Sequence, residues 1–371
     1  MKIYYIVSSF DGGGAEFVIP DLINLFKKLG HSVELFGCIP RNMETVDLFK
    51  KSNISYRLLS GNNENRYKST FHFNQIVKRS PPDVIWTSLT RATVDGQLVG
   101  LWNRIPVVSW KHSANSYSLR LIKTILMQRL SRLWIADSTG VANFLKSKMK
   151  VPEDRIKIWS LFKIPHNLPM GSVWNGKGIF HIGSVGRLHT VKNFPLMIRA
   201  MAYINHHYPE VGKRIKLSIA GSGKEEQHLK NLIHLLKVDN VELIGFSDDV
   251  MNFLSKLHLY LQTSVYEGLC IAVHEALAVG IPVISTNVGE MRSAFRNNSI
   301  GTLIDKNSPE LLARQILDYY HNPSKTQYYV ANARQYMQQH YSEESFEASG
   351  RFILNHIEEN ILPRYLKINL V

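Results

Sequence analysis

Two glutamates, Glu267 and Glu275, lie eight positions apart where an apolar strand pattern gives way to a helical one. Residues 257–263 predict a strand, and residues 271–279 predict a helix. The turn between them therefore lies at a helix N-terminus, whose free N–H groups and positive dipole end bind phosphate. Carboxylates on either side of that phosphate could hold hydroxyl groups. This arrangement fits a nucleotide sugar, in which a sugar, a diphosphate and a ribose follow one another.

Arg187 and Lys192 are the cations placed to act on the same phosphate. They lie five positions apart, around the end of a predicted strand and the start of the next helix. A diphosphate gains negative charge as its bond to a sugar breaks, and two cations can stabilise that charge electrostatically. The sequence therefore predicts a leaving-group site that needs neither a metal nor another cofactor.

The first half contributes a glycine run and one histidine. Gly12, Gly13 and Gly14 follow the first predicted strand directly, where glycine lets the backbone approach a ligand closely. Phe17 stands where the dinucleotide-binding pattern requires its third glycine, which disfavours a nicotinamide or flavin cofactor. His112 comes just after another predicted strand, at the carboxyl end that faces the crevice in open α/β sheets.

The segment around the two glutamates resembles the Glu-x7-Glu signature of retaining glycosyltransferase family 4, which has the GT-B fold. Further motifs occur in family order across residues 180–305: Gly186-Arg187-Leu188 with Lys192-Asn193, Gly221-Ser222-Gly223, Ile244-Gly245-Phe246, Gly280-Ile281-Pro282 and Val288-Gly289-Glu290. The N-terminal half is similar to the family more loosely. Where many members have Glu-Gly-Phe-Gly, this chain has Leu269 and Cys270 after Glu267-Gly268.

The resemblance implies a role for each motif residue. Arg187 and Lys192 would stabilise the leaving diphosphate, Glu267 would hold hydroxyls of the transferred sugar, and His112 would contact that sugar from the other domain. The remaining donor-binding residues would be Gly12, Gly13, Gly14, Gly186, Gly221, Phe246, Gly268, Leu269, Cys270, Ile271 and Glu275, the last on the ribose. The chain also has no Asp-x-Asp triplet, the usual metal holder of glycosyltransferases with the other large fold.

The positive charge of the chain is concentrated in one region. The formal net charge is +14, and residues 66–170 hold 17 Lys and Arg but only 5 Asp and Glu. Such a region attracts an anionic membrane surface, an anionic glycan or nucleic acid. We expect an anionic leaflet and a glycan or glycolipid acceptor, and no nucleic acid. The two cysteines, the short first apolar run and the absence of a membrane-length apolar stretch favour a cytoplasmic protein, peripheral on the inner face of the membrane.

The elements that must position these residues alternate between strands and helices, which predicts parallel sheets. A break rich in Pro and Gly near residues 163–174 predicts two Rossmann-like domains, 1–168 on the acceptor side and 175–344 on the nucleotide-sugar side, with sheets facing each other across a cleft. By resemblance, a C-terminal helix at about 345–371 packs back on the first domain. The predicted helices of the first half are 15–29, 71–78, 93–103, 118–130 and 141–149. Trp102, Trp110, Trp134 and Trp159 are predicted to be core residues.

The favoured function is a retaining, metal-independent transfer of a hexose or N-acetylhexosamine from a nucleoside diphosphate sugar, with a UDP-sugar preferred. Two alternatives remain open. A nucleotide-sugar 2-epimerase shares the two-domain plan but needs additional carboxylates, and residues 96–136 contain none. A nucleic-acid or lipid-binding module would use the basic region alone and would not need the motifs of the second half.

Overall fold

A computed structural model describes residues 1–11, 14–61, 66–114, 125–296, 299–305, 307–363 and 365. The chain divides into two compact units, residues 1–162 with 343–371, and residues 163–342. The chain passes from the first unit to the second after residue 162, whereas the predicted boundary lay between residues 168 and 175. Each unit is built on its own sheet, and every strand pairing in both sheets is parallel, as an α/β protein with two Rossmann-like domains requires.

The first sheet has seven strands in the order β3-β2-β1-β4-β5-β6-β7. Their bounds are β1 Lys2–Val7, β2 Ser32–Gly37, β3 Tyr56–Leu58, β4 Val84–Ser88, β5 Val107–Lys111, β6 Leu133–Ala136 and β7 Ile156–Ile158. Strands β1, β4, β5 and β6 are nearly continuous buried apolar runs, as expected when helices cover both faces of a sheet. The sequence analysis did not predict β3 and β7, which are only three residues long.

Helices of the first unit are Gly14–Phe17, Ile19–Lys28, Val46–Lys51, Arg66–Arg79, Thr90–Asn103, Thr139–Ser147 and Glu343–His356, the last followed by a π-helical turn, Ile357–Ile361. The single helix predicted over 15–29 is thus two helices. Most of the helix predicted over 118–130 lies outside the described residues, and its end, Gln128–Leu130, is a 3-10 turn.

The helix Thr90–Asn103 packs closely on its sheet because two of its inward positions are glycine. A Cβ on Gly96 would stand 2.4 Å from Thr87 Cγ2, and one on Gly100 would stand 2.4 Å from Val107 Cγ2. Trp102 lies on the same helix and is 55% exposed, so its predicted core position was wrong. Trp110, Trp134 and Trp159 are buried as predicted.

The C-terminal helix Glu343–His356 belongs to the first unit. The Trp159 indole donates to the Phe346 carbonyl (3.0 Å). A Cβ on Gly350 would stand 2.6 Å from both Leu25 and Trp159 side-chain atoms, so the helix approaches the unit's aromatic core directly.

The second sheet has six strands in the order β10-β9-β8-β11-β12-β13. Their bounds are β8 Phe180–Val185, β9 Ile215–Ala220, β10 Val241–Gly245, β11 Leu259–Gln262, β12 Val283–Thr286 and β13 Gly301–Ile304. The helices are Phe194–His207, Pro209–Gly212, Glu226–Leu235, Val250–Ser255, Ile271–Val279, Met291–Ala294, Pro309–His321 and Pro323–Tyr341. Helix starts follow the sequence: Ser308 caps Pro309–His321 by accepting from the Leu311 amide, and Asp249 caps Val250–Ser255 in the same way.

Candidate functional site

The order in which strands are added to the second sheet reverses between β8 and β11. The chain leaves β8 toward β9 on one side and later crosses to β11 on the other. Loops that follow these two strands therefore diverge at the carboxyl edge of the sheet, where open α/β sheets bind ligands. Arg187 and Lys192 come from the loop after β8, and Glu267 comes from the loop after β11.

Lys192 and Glu267 form an ion pair at this edge. The Lys192 Nζ to Glu267 Oε1 distance is 2.7 Å, and both side chains are largely buried. Burial lowers the pKa of the Lys192 ammonium, but the charge and hydrogen bond of Glu267 raise it by more, so the pKa lies above its ordinary value. Arg187 is exposed and close enough for its charge to oppose that increase. The structure thus brings both predicted cations and the first glutamate together.

Glu267 is held through one of its two carboxylate oxygens. Besides Lys192, the Gln262 amide nitrogen (2.9 Å) and the Ser264 hydroxyl (2.6 Å) donate to Oε1. Within the described ranges, no hydrogen bond reaches Oε2. A carboxylate oxygen saturated by three donors fixes the group, and the second oxygen can then accept from a ligand hydroxyl.

The helix Ile271–Val279 begins directly after Glu267-Gly268, as predicted. Cys270 is the residue before it and has a φ of 64°, a left-handed conformation that costs more for cysteine than for glycine. The amides of Val273 and His274 donate to the Cys270 carbonyl (3.0 and 3.4 Å). The preceding amides have no backbone acceptor in the part of the chain that the structure describes. Leu269 and Cys270 are buried, so their side chains are not available to a ligand.

Two glycines allow neighbouring loops to pack around this site. A Cβ on Gly289 (φ 53°) would stand 2.5 Å from the Gly268 carbonyl oxygen. A Cβ on Gly221 (φ 148°) would stand 2.0 Å from the Gly186 carbonyl oxygen. The loop after β9 therefore approaches the loop after β8, and the loop after β12 approaches the loop after β11, only because these positions carry no side chain. Phe246, after β10, is 72% exposed, so its ring face is accessible.

Glu275 lies in the second turn of the helix Ile271–Val279 and is half-buried. Burial raises the pKa of its carboxyl to about 7. Among the described residues, none forms a hydrogen bond or an ion pair with it. The charges of Glu267, Lys192 and Glu275 all act on the pKa of the Cys270 thiol, which burial raises.

In the first unit, His112 follows β5 and meets two polar residues from the neighbouring strands. Its Nε2 is 2.5 Å from the Ser88 hydroxyl at the end of β4. Its Nδ1 is 3.8 Å from the Asp137 carboxylate, which follows β6. His112 Nδ1 and Asp137 Oδ1 are both buried, and among described atoms neither has a hydrogen-bond partner. Gly14 begins the helix Gly14–Phe17, whereas Gly12 and Gly13 lie outside the described residues.

Five polar residues that lie around Glu267 and His112 were not predicted from the sequence. They are Tyr260, Gln262 and Ser264 in the second unit and Ser88 and Asp137 in the first. Their common signal is a polar residue in or just after a buried apolar strand, at its carboxyl end. Such a position is costly unless the group is hydrogen-bonded, and it could have been used to find them.

Among the helices that the structure describes, none is both long and apolar enough to cross a bilayer. In the same described ranges, no group of three or more His, Cys, Asp or Glu side chains is arranged to hold a metal ion.

Comparison with family models gives two matches that together cover most of the chain. Residues 12–162 match the model for Glycosyltransferase Family 4. Residues 175–336 match the model for Glycosyl transferases group 1. The second match contains Arg187, Lys192, Glu267 and Glu275, and the first contains His112.

Two relatives are distant in sequence but match over nearly their whole length. A Haemophilus influenzae protein named as an uncharacterized glycosyltransferase is 24% identical over 86% of this chain and 90% of its own. A Campylobacter jejuni α-1,4-N-acetyl-D-galactosaminyltransferase, whose named substrate is an undecaprenol-linked oligosaccharide, is 23% identical over 90% of this chain and 93% of its own.

Solved structures give the fold. Crystal structures of Anabaena HepE in complex with UDP superpose with a TM-score of 0.81 at 20% identity, covering 96% of this chain and all of HepE. At that identity the likeness concerns the fold, which has the same two-sheet α/β architecture. Family models, relatives and fold agree, and the chain belongs to the GT-B glycosyltransferases of the family 4 type.

Proposed function

We propose that this glycosyltransferase is a retaining enzyme that works without a metal ion. Its donor would be a UDP-sugar carrying a hexose or N-acetylhexosamine, and its acceptor a glycan or lipid-linked glycan of a bacterial surface polysaccharide or lipopolysaccharide. The observation that carries the proposal is the Lys192–Glu267 ion pair beside Arg187, at the carboxyl edge of the second sheet and next to a helix N-terminus.

Each group of the site has a role in this reaction. The bond from the sugar C1 to the diphosphate oxygen breaks, and Arg187 and Lys192 stabilise the charge left on the diphosphate. The acceptor oxygen bonds to C1 on the same face, and its proton passes to the leaving phosphate oxygen. Glu267 Oε2 accepts from a sugar hydroxyl.

The rest of the nucleotide would lie along the neighbouring loops. Glu275 binds the ribose hydroxyls, and the amides of residues 268–271 bind phosphate, which the close approach of Gly186 and Gly221 leaves room for. The exposed ring of Phe246 is the surface for the base. UDP in the HepE crystals and the sugar nucleotide named for other relatives make a UDP-sugar the first donor to test.

The testing experiment is product analysis with UDP-glucose, UDP-galactose, UDP-N-acetylglucosamine and UDP-N-acetylgalactosamine, in the presence of excess chelator. We expect one of these α-linked donors to give an α-linked product, identified by its anomeric NMR signal. The rate of transfer should be the same with and without chelator. A β-linked product would contradict retention. Complete loss in chelator, restored by Mg²⁺ or Mn²⁺, would contradict the metal-free mechanism. None of the observations favours the epimerase alternative, and a C2-inverted UDP-sugar among the products would be its signature.

We further propose that the basic part of the first unit contacts an anionic membrane surface, from the cytoplasmic side. Arg129 and Arg132 are exposed, and Leu126 beside them is 74% exposed. Arg155 braces this segment by donating to the Gln128 carbonyl (2.9 Å). A mixed basic and apolar surface binds anionic leaflets, at about 1 kcal/mol for each basic residue near the surface. Arg120 and Lys123 belong to the same basic region, 66–170, but lie outside the described residues.

Sedimentation with acidic and neutral liposomes tests the membrane proposal. Exchanging Arg129 and Arg132 for Gln should reduce binding to acidic liposomes, while hydrolysis of the UDP-sugar in solution is unchanged. Salt should release the wild type, because charges at a surface are screened within about 8 Å at physiological ionic strength. Absence of binding to acidic liposomes would point to a soluble acceptor, and binding that neither salt nor these substitutions reduce would contradict an electrostatic contact with the membrane.

A further inference from the structure

A chain of hydrogen bonds runs inside the second unit from the end of β8 to Glu267. The Val185 amide donates to the Tyr260 phenol oxygen (3.3 Å), and the phenol is 3.2 Å from the Gln262 side-chain carbonyl. The Gln262 amide nitrogen then donates to Ser264 (2.6 Å) and to Glu267 (2.9 Å). Tyr260, Gln262 and Ser264 are fully or almost fully buried.

Glu267 determines which way the Gln262 amide points. A carboxylate oxygen only accepts hydrogen bonds, so the NH₂ end of the amide faces Glu267 and its carbonyl faces the Tyr260 phenol. Burial raises the pKa of Tyr260 well above its ordinary value, so the phenol keeps its single proton, which the Val185 and Gln262 carbonyls, each 3.2 Å away, can accept. A reversed amide would place its carbonyl oxygen against the carboxylate oxygen, which is costly in a buried site.

We propose that Gln262 is a positioning residue for Glu267, and this inference rests on the function proposed above. Gln262, Ser264 and Lys192 together saturate Oε1, so only Oε2 is directed to the sugar. The Lys192 ammonium is held by the same oxygen, so Gln262 also helps to position that cation for the diphosphate. The end of β8, where this chain of bonds begins, carries the Arg187 loop, so both cations and the carboxylate share one support.

A role in packing alone makes a different prediction from a role in hydrogen bonding. Methionine is similar to glutamine in size and shape but cannot donate, so Gln262→Met keeps the volume and removes the bonds. Gln262→Glu keeps the shape but replaces the donating NH₂ with an oxygen. An ionised carboxylate at this position would repel Glu267, whereas a protonated one can donate to it. The charged or titratable groups around position 262 are Arg187, Lys192, Tyr260, Glu267, Cys270 and Glu275.

The experiment compares kcat and KM of both variants with the wild type from about pH 8 down to about pH 6, using the UDP-sugar that the wild type turns over. We expect Gln262→Met to lower kcat/KM by on the order of tenfold to a hundredfold at every pH, since a displaced catalytic group costs this much. Gln262→Glu should be worse at high pH and recover toward the wild type as pH falls. Calorimetric binding of UDP alone should change much less than kcat/KM in both variants, because Lys192 keeps its ion pair with Glu267.

Ser285→Ala is the matched control. Ser285 is buried on β12 in register with Gln262, but its hydroxyl donates to the Thr286 carbonyl and not to the carboxylate. It should show wild-type kinetics at all pH values. Tyr260→Phe removes the hydroxyl that lies 3.2 Å from the Gln262 side-chain carbonyl. It should lower kcat/KM by less than Gln262→Met does, and it is the second test variant if Gln262→Glu does not fold.

The outcomes separate this inference from the proposed function. A pH-independent loss of the same size in both Gln262 variants would mean packing alone and would overturn the inference. Wild-type kinetics in both would overturn it too, while the proposed function would stand as long as Lys192→Ala and Glu267→Gln are impaired. If those two variants are also fully active, the proposed function itself is wrong.

Discussion

In the first unit the central strands β1 and β4 are flanked by β2 and β5, and in the second unit β8 and β11 are flanked by β9 and β12. Polar side chains therefore collect at equivalent edges of the two sheets. In the second unit they form a saturated cluster, in which one oxygen of Glu267 accepts three hydrogen bonds. In the first unit His112 Nδ1 and Asp137 Oδ1 are buried with no hydrogen-bond partner among the described residues.

The two sheet edges differ in how completely their polar groups are hydrogen-bonded before a substrate binds. A fully bonded cluster is preorganised, so its charges need little rearrangement when a diphosphate arrives. Buried polar atoms without partners cost free energy, and such atoms in a native protein call for an explanation such as a catalytic or binding role. Equivalent topology thus supports a preorganised cluster, the proposed donor site, in one unit and a histidine with one unsatisfied ring nitrogen in the other.

The largest expected effect comes from removing a cation of the saturated cluster. Lys192→Ala should lower kcat by on the order of a hundredfold or more, as should Arg187→Ala, because each removes one stabiliser of the leaving group. Lys192→Ala also leaves Glu267 with neutral donors alone. Steady-state kinetics with the UDP-sugar measures both.

Lys216→Ala is the control for these cations. Lys216 is a partly exposed lysine of the same unit that pairs with Glu242 (2.9 Å), and it should remain fully active. Near-normal turnover in both Arg187→Ala and Lys192→Ala, with intact folding, would remove the basis for calling this edge the donor site.

The next effect divides the two glutamates. Glu275→Gln should weaken binding of UDP itself, since the ribose is present with or without the sugar. Glu267→Gln should weaken the intact UDP-sugar and leave UDP nearly unchanged. A hydrogen bond to a charged group is worth about 1.5–3 kcal/mol, so a change of roughly tenfold to a hundredfold is expected in calorimetric titrations. Equal loss of UDP in both variants would show that the roles are wrongly divided.

The pKa of Glu275, raised to about 7 by burial, adds a pH test. Ribose hydroxyls donate to the ionised form, so the affinity for UDP should rise as pH increases through about 7 and fall below it. In the free protein the sign is opposite. A folded pKa above the unfolded value of about 4.3 means that stability decreases as pH rises from about 4.3 to 7. Glu275→Gln should flatten both profiles, measured by calorimetry and by thermal unfolding.

The sequence was sufficient to predict the strands of the second sheet, because each is an apolar run that ends in a glycine or polar turn. These runs are 179–185, 215–220, 241–244, 257–262, 283–285 and 302–304. Strands β3 and β7 were missed since three residues at a half-exposed sheet edge have no detectable periodicity. The GT-B fold was predicted from motif order, and the comparisons confirm it. Trp102 was misplaced because sequence spacing does not show that glycines form the inner face of its helix.

The charged site residues could be predicted because their types and spacing follow a motif. Gln262 and Ser264 belong to no motif and give only the weaker signal of a polar residue at the end of a buried strand. Their role depends on the shape of the turn after β11 and on Lys192, which comes from a loop distant in sequence. The same holds for Ser88 and Asp137, which come near His112 only because β4, β5 and β6 are neighbours.

The smallest expected effect concerns the unsatisfied edge of the first unit. If His112 contacts the transferred sugar, His112→Ala removes one hydrogen bond between neutral groups, worth about 1 kcal/mol, and kcat/KM should fall by roughly fivefold to tenfold. Binding of UDP without a sugar should not change. His72→Ala is the matched control, because His72 is an exposed histidine of the same unit whose ring bonds to the Leu59 carbonyl (2.8 Å).

Asp137→Asn sharpens this last comparison. The carboxylate is 3.8 Å from His112 Nδ1, too far for a hydrogen bond but close enough to favour a protonated ring nitrogen on that side. Asparagine keeps the shape and removes the charge, so it should reproduce part of the His112→Ala loss and add little to it in the double variant. Full additivity would mean that Asp137 acts independently of His112. Loss of UDP affinity in either variant would mean that the first unit also binds the nucleotide, and the division of roles between the two edges would have to be abandoned.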